Sequence, residues 1–192
     1  MARLIIMGPP GVGKGTQAQY LARHFSIPAI STGDLFRGHV RNKTELGAEA
    51  SGYMDHGEFV PDHVTTDMLR QRLEDNDADA GFLLDGYPRT VIQIGALDEM
   101  LAAKGRALGA VLALTAPDGE LVARMLRRAK EQGRADDTES VIQRRLELYR
   151  DETQPVLTAY SHRGILLTID GSGDRESITA AAIAAVEGAL AA

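Results

Sequence analysis

The chain contains no cysteine. Disulfides and thiolate metal sites are therefore excluded, and the composition suits a reducing compartment. Aromatic residues make up only 5%, no basic tract occurs, and the net charge is −6, which together argue against bulk nucleic-acid binding. Long apolar runs are missing too. After Met1-Ala2-Arg3 come four strongly apolar residues (4–7), too few for a signal-peptide core or a membrane span, so a cytoplasmic protein with no membrane partner is expected. No internal repeat, low-complexity linker, Ser-His-Asp set or metal-ligand cluster is visible, and His24, His39, His56, His63 and His162 are scattered.

What is present is ordinary for one soluble domain: 192 residues, 44% apolar and 25% charged. Apolar runs at 3–7, 28–31, 81–85, 107–114 and 164–169 read as five buried strands, continuous rather than alternating, as in a parallel sheet covered on both faces. Helical stretches separate them at 14–25, 34–42, 45–56, 64–76, 91–104, 119–130 and 139–160. An alanine-rich helix from about 176 closes the chain, with Ile178, Ile183, Val186 and Leu190 as its buried points. This alternation predicts a doubly wound, three-layer α/β/α fold around a five-stranded parallel sheet. Residues 31–60 and 130–138 interrupt the pattern, either as surface excursions or as covers over a site.

The chemistry begins at Gly8-Pro9-Pro10-Gly11-Val12-Gly13-Lys14-Gly15-Thr16, between the first strand and the first helix. Glycines let successive backbone N–H groups converge on a phosphate, the helix start adds partial positive charge, and Lys14 supplies an ammonium. The generic pattern places Ser or Thr directly after Lys; Gly15 intervenes here, which leaves the metal-contacting hydroxyl open.

Ser31, Thr32 and Asp34 follow the second strand, where any of them can cap a helix. Arg37, one turn in, is a cation opposing the helix dipole and points to an anion nearby. The run from Gly81 to Thr90 ends an apolar strand in Asp85, at the edge where ligands of such folds sit. A Mg2+–nucleotide complex would use a carboxylate there through water; an Asp opening a glycine turn is the plainer account. Arg89 and Gln93, one turn apart, read as one helical face, one for a phosphate and the other for a base edge. In the 119–130 helix the stripe reads Val122, Met125, Leu126 and Ala129, with Arg124 and Arg128 on the opposite face. In the next helix Arg145 flanks the stripe of Ile142, Leu146, Tyr149, Leu157 and Tyr160, and Arg144 points away from it. Arg134 sits beside Asp136 and Asp137, as part of a salt-bridged lid or simply solvated. The arginines Arg37, Arg89, Arg124, Arg128, Arg134 and Arg145 exceed what one triphosphate needs and suit two phosphorylated substrates facing one another.

Five ordered motifs resemble the adenylate kinase family over nearly the full chain: residues 8–16 with the glycine after lysine, 31–37, 54–62, 85–90 with Gln93, and 133–138. The resemblance implies reversible transfer from ATP to AMP, giving two ADP, with Mg2+. By position, Gly11, Val12, Gly13, Lys14, Gly15 and Thr16 would hold the ATP phosphates, with Arg128 and Gly173 near the adenine. Thr32, Arg37, Glu58, Phe59, Val60, Gly86, Tyr87, Pro88, Arg89 and Gln93 would form the AMP site. Arg134 and Arg145 would reach across to the transferring group and AMP, and Arg124 would join them. Lys14, Arg89, Arg124, Arg128, Arg134 and Arg145 are thus the implied catalytic charges, and Asp85 (through water) and Thr16 the implied magnesium contacts. The implied organisation is a core of 1–30, 61–127 and 139–192, a helical monophosphate-binding insertion at 31–60, and a short lid at 128–138, in a monomer. The Tyr87-Pro88 bond would be cis. Two departures stand out: the lid is short and without cysteine, so thiolate-bound zinc is excluded, and Tyr87 stands where Phe is commoner.

Rival readings are few. Relatives acting on UMP and CMP lack threonine at the Thr32 position and carry Asn at that of Gln93, so this chain favours AMP. A GTPase-type switch would carry Asn-Lys-x-Asp, which Asn42-Lys43-Thr44-Glu45 does not match. A pure binding module would not need so many arginines.

Overall fold

The structure is a computed structural model that describes residues 1–132 and 138–191. Five parallel strands, β1 (Arg3–Met7), β2 (Ala29–Ser31), β3 (Phe82–Asp85), β4 (Ala110–Thr115) and β5 (Leu166–Asp170), are arranged in the order β2-β3-β1-β4-β5. The helices are α1 (Lys14–Phe25), α2 (Thr32–Arg41), α3 (Glu45–Met54), α4 (Asp62–Arg72), α5 (Val91–Ala102), α6 (Asp118–Gln132), α7 (Glu139–Leu148), α8 (Gln154–His162) and α9 (Arg175–Ala191). The three-layer expectation holds.

The continuous apolar strands follow from the two-residue period of the pleat meeting two cores. In β1, Leu4 and Ile6 enter the core shared with α1, α6 and α9, whereas Ile5 and Met7 enter the one shared with α4, α5 and α8. Each such fully buried Leu or Ile contributes roughly 1.5–3 kcal/mol relative to exposure. The edge strand β5 differs, with no fully buried residue. Hydroxyls start the helices in the expected way: Ser31 accepts from Asp34 N, Thr44 from Gly47 N, Thr90 from Gln93 N and Thr138 from Val141 N.

Three expectations need correction. The helix read over 139–160 is two helices joined by one wide turn, Tyr149–Thr153, just before Pro155, whose ring and missing N–H interrupt a regular helix. Strand β4 begins at Ala110 rather than 107, the preceding residues forming its approach, with Gly109 N donating to Arg3 O. In α9 the buried points are Ile178, Ala182 and Val186; Leu190 is exposed near the helix end, although its Cδ2 closes over Gly109.

Helices α2 and α3 form a small excursion with its own core of Phe36, Ala50, Val60 and Met68. Their backbones touch: a Cβ on Gly47 would lie 2.3 Å from His39 O, so only glycine fits. Among the described residues no helix is long and apolar enough to cross a membrane.

Candidate active site

A cleft of about 1130 Å3 runs along the C-terminal edge of the sheet, where the connections leaving the paired strands β1 and β3 diverge to opposite faces. The phosphate loop forms its floor. Gly8, Gly11 and Gly13 have φ of 141°, 85° and 102°, and a Cβ on Gly8 would sit 2.4 Å from Leu114 O. The loop therefore folds back on β4 at a distance no side chain permits, and α1 opens at Lys14 with no acidic residue in its first turn. Thr16 lies exposed in that first turn.

Lys14 Nζ donates to Gly8 O at 2.7 Å and Pro9 O at 2.9 Å, bending over the loop it follows. Burial pulls its pKa down to about 8; Asp85 opposes the shift, and Arg89 and Arg128 add to it. Asp85 ends β3, and burial raises its pKa against the pull of Lys14 and Arg89. Arg89 is lowered by burial, with Asp85 opposing and Arg145 and Arg37 reinforcing. One carboxylate thus stands among several cations that perturb one another. Such a centre is stabilised by anions.

The opposite side of the cleft is built by side chains from several elements. Thr32 Oγ1 and Arg89 Nε both donate to Gly86 O at 2.9 Å. Gly86 has φ 86°, and a Cβ there would lie 2.7 Å from Thr32 Oγ1. Thr153 Oγ1 donates to Arg89 O at 3.1 Å, and the Arg89 guanidinium lies 5.0 Å from the Phe59 ring centroid. Arg89 precedes α5 rather than sharing a helical face with Gln93; its backbone N donates to Gln93 Oε1 at 2.7 Å. Gln93 is buried at the cleft wall. The Tyr87-Pro88 bond is cis, and the Tyr87 hydroxyl is 2.9 Å from that of Thr66 inside the core. Val60 is buried in the small core beneath α2.

The arginines divide. Arg37 is paired with Asp34 at 2.6 Å. In α6 the buried residues are Leu121 and Met125, while Leu126 is exposed. Arg124 and Arg128, at i+3 and i+7 from Leu121, therefore share the inward face instead of opposing it, a correction to the phase read from sequence. Arg124 donates to Gly171 O at 3.0 Å and to Glu120 at 2.9 Å, and lies 3.5 Å from Val12 O, bracing the phosphate loop against the end of β5. Arg128, Arg145, Thr32, Arg37, Glu58 and the exposed Gly173 all line the same cleft. Arg134 and the rest of 133–137, the middle of the expected lid, lie outside the described residues.

Arg144 was the residue sequence reasoning passed over. Its guanidinium takes both oxygens of Glu58, Nε donating at 2.8 Å and Nη2 at 3.3 Å. A Cβ on neighbouring Gly57 would be 3.0 Å from Val141 O, so this turn rests directly on α7. Nothing local announces a pairing across 86 residues.

Fold and cleft together define a P-loop nucleotide-binding protein with a second polar pocket facing its phosphate loop. A family profile described as adenylate kinase matches residues 6–165. An adenylate kinase from a Nocardioides species is 56% identical over 178 residues, covering 93% of each chain. One from Pseudarthrobacter chlorophenolicus is 52% identical over the full length of both chains, and one from Bifidobacterium longum is 53% identical over 96% of this chain and 100% of its own. The chain belongs to the adenylate kinase family.

Proposed function

We propose that the protein catalyses reversible transfer of the γ-phosphoryl group of ATP to AMP, giving two ADP. The carrying observation is the single cleft in which a backbone phosphate loop and a side-chain pocket face one cationic centre at Lys14, Arg89, Arg128 and Arg145. An oxygen of the AMP phosphate attacks the γ-phosphorus while the bond to the bridging β–γ oxygen breaks. The chemistry asks for in-line positioning and charge neutralisation, with little covalent work by the protein.

In this reading Gly11 to Thr16 hold the ATP phosphates, with Lys14 at the outer ones and Gly173 beside the base. Arg37 and Arg89 hold the AMP phosphate; Thr32, Phe59, Val60, Gly86 and Gln93 enclose its nucleoside. Arg128, Arg145 and Arg134 neutralise the transferring group, and Arg124 acts through the loop it braces. The insertion at 31–60 and the lid at 128–138 close over the substrates and exclude water, a behaviour of which adenylate kinases are the standard illustration. One chain supplies both halves of the cleft, which supports a monomer; the proposed location is cytoplasmic.

The residues also suit magnesium. Among the described residues there is no group of three or more His, Cys, Asp or Glu that could cage a metal. Mg2+ needs none, since it keeps waters and takes substrate phosphates alongside one or two carboxylates. Asp85 supports this reading, with Oδ2 3.7 Å from where a Cβ on Gly15 would stand, and Thr16 offers a hydroxyl nearby on α1. When bound, the ion would neutralise charge on the outer phosphates.

A coupled assay with Mg-ATP and each of AMP, GMP, CMP and UMP tests the proposal. Rapid ADP formation with AMP alone is expected. Preference for a pyrimidine monophosphate would overturn the acceptor, and no transfer to any of the four would overturn the reaction.

A further inference from the structure

The Gln93 carboxamide is held at both ends. Its Oε1 accepts from Arg89 N at 2.7 Å, and its Nε2 donates to Asp62 Oδ1 at 2.6 Å. A backbone N–H can only donate and a carboxylate can only accept, so the two partners permit one orientation of the amide and forbid its flip. Asp62 is itself fixed: its other oxygen accepts from Thr90 Oγ1 at 3.0 Å, and that hydroxyl accepts from Gln93 N at 3.3 Å. A primary amide has two N–H groups and two acceptor lone pairs on oxygen. One of each is used, so the buried side chain keeps one donor and one acceptor in a fixed order at the cleft wall.

We propose that Asp62 is a specificity-determining residue, locking the Gln93 amide in the orientation that reads a 6-amino purine and rejects a 6-oxo purine. The inference rests on the reading of Gln93 as the residue facing the acceptor's base. Adenine offers an N–H donor at position 6 beside a ring-nitrogen acceptor, which meets the amide oxygen and the amide N–H in turn. Guanine or hypoxanthine places a carbonyl at position 6, opposite the amide oxygen, and two acceptors then face each other. An unconstrained glutamine escapes this clash by rotating its amide by half a turn. Asp62 and the Arg89 N–H together close the escape, and Asp62 doubles its cost: the flip would turn Nε2 toward the Arg89 N–H and Oε1 toward the carboxylate, leaving two like-with-like contacts in a buried site instead of one. Cytosine shows its edge groups in the same order as adenine, so this lock acts between amino and oxo bases and leaves CMP to be excluded by size.

The test compares kcat/KM for AMP, inosine monophosphate and CMP in the wild-type protein, Asp62→Asn and Gln93→Leu. Inosine monophosphate exchanges only the position-6 amine for an oxo group and adds the proton at N1. In Asp62→Asn the neighbouring amide can either accept or donate, so a flip of Gln93 leaves one like-with-like contact, at the Arg89 N–H, instead of two. The AMP-to-inosine-monophosphate ratio should fall by about tenfold or more, with turnover of inosine monophosphate rising in absolute terms, while the AMP-to-CMP ratio stays within about twofold. A merely structural role would lower all three together. A folded Asp62→Asn protein whose AMP-to-inosine-monophosphate ratio stays at the wild-type value would overturn the inference. If that variant is unstable, Asp62→Ser poses the same question, because a hydroxyl also both accepts and donates. Failure of the underlying reading looks different: Gln93→Leu would then retain the wild-type preference for AMP.

Discussion

The two sides of the cleft are built by opposite means. The phosphate loop is nine contiguous residues whose backbone does the binding, shaped by left-handed glycines and closed by one lysine. The facing pocket is made of side chains from α2, the 57–60 turn, the β3–α5 connection and the turn before α8, each oriented by a partner from another element. A backbone site is indifferent to side-chain substitution except at glycine and lysine, whereas a side-chain site spreads its sensitivity over residues that never touch the ligand. The first kind recognises phosphate in general, and the second distinguishes one acceptor from another.

The largest effects should come from the charges at the centre. Lys14→Ala and Arg89→Ala are each expected to lower kcat/KM by about 10²–10³, the cost of removing one preorganised donor from a developing charge. They should differ in kind. Lys14→Ala removes a cation from the backbone side and should depress turnover with every acceptor equally. Arg89→Ala also releases Gly86 O and the Phe59 face, so the KM for AMP should rise as well. Steady-state kinetics alongside thermal melting checks this; near-normal kcat/KM in either folded variant would break the division of labour.

The next effect separates the two sides by pH. Lys14 has a pKa of about 8 against an ordinary 10.5. Triphosphate bound at the loop raises it again, so binding is linked to a proton. Below pH 8 the ammonium is already formed and affinity is full. Above pH 8 the free protein has lost that proton and must take one up to bind. ATP affinity should therefore fall as pH rises past 8, by up to about tenfold per unit, until the higher pKa of the bound state is reached. Calorimetry at pH 8.5–9 in two buffers of different ionisation enthalpy should register uptake of a fraction of a proton, and Lys14→Met should abolish it. Equal heats in both buffers for the wild-type protein would show that Lys14 is charged throughout.

The same contrast explains what the sequence could and could not disclose. The loop at 8–16 was legible because its residues are adjacent and its chemistry belongs to the backbone. The three inner strands were legible because parallel strands buried on both faces are apolar at nearly every position, as in Leu4-Ile5-Ile6-Met7. Helix α6 was misread in phase because Leu121, Val122, Met125 and Leu126 are all apolar, so two stripes are possible. A stripe of Val122, Met125, Leu126 and Ala129 sets Arg124 and Arg128 on the opposite face, whereas Leu121 and Met125 are the buried residues and both arginines line the cleft. The pairings of Asp62 with Gln93, 31 residues apart, and Glu58 with Arg144, 86 apart, had no local signature. They arise only when the 57–62 segment folds onto α5 and α7. Resemblance supplied the list of site residues, but not the contacts that hold them.

The smallest effect tests the most distant of those contacts. Glu58 and Arg144 are each about two-fifths exposed, at 40% and 43%, and an ion pair so open to water contributes little. Glu58→Gln should therefore change the KM for AMP by less than about fivefold and leave kcat nearly untouched. Glu58→Arg should do more, since it sets a third cation beside Arg144 and Arg145, and the double exchange Glu58→Arg with Arg144→Glu should recover most of the loss. Raising salt should bring the wild-type KM toward that of Glu58→Gln, because a half-exposed pair is screened. On that outcome Glu58 is a tie between the 57–60 turn and α7, setting how the pocket wall sits rather than touching the monophosphate. A loss of a hundredfold or more in Glu58→Gln, unrescued by the exchange, would mean that the carboxylate contacts the acceptor itself. The side-chain half of the cleft would then include a negative charge in direct contact with a substrate that its other residues receive with positive ones.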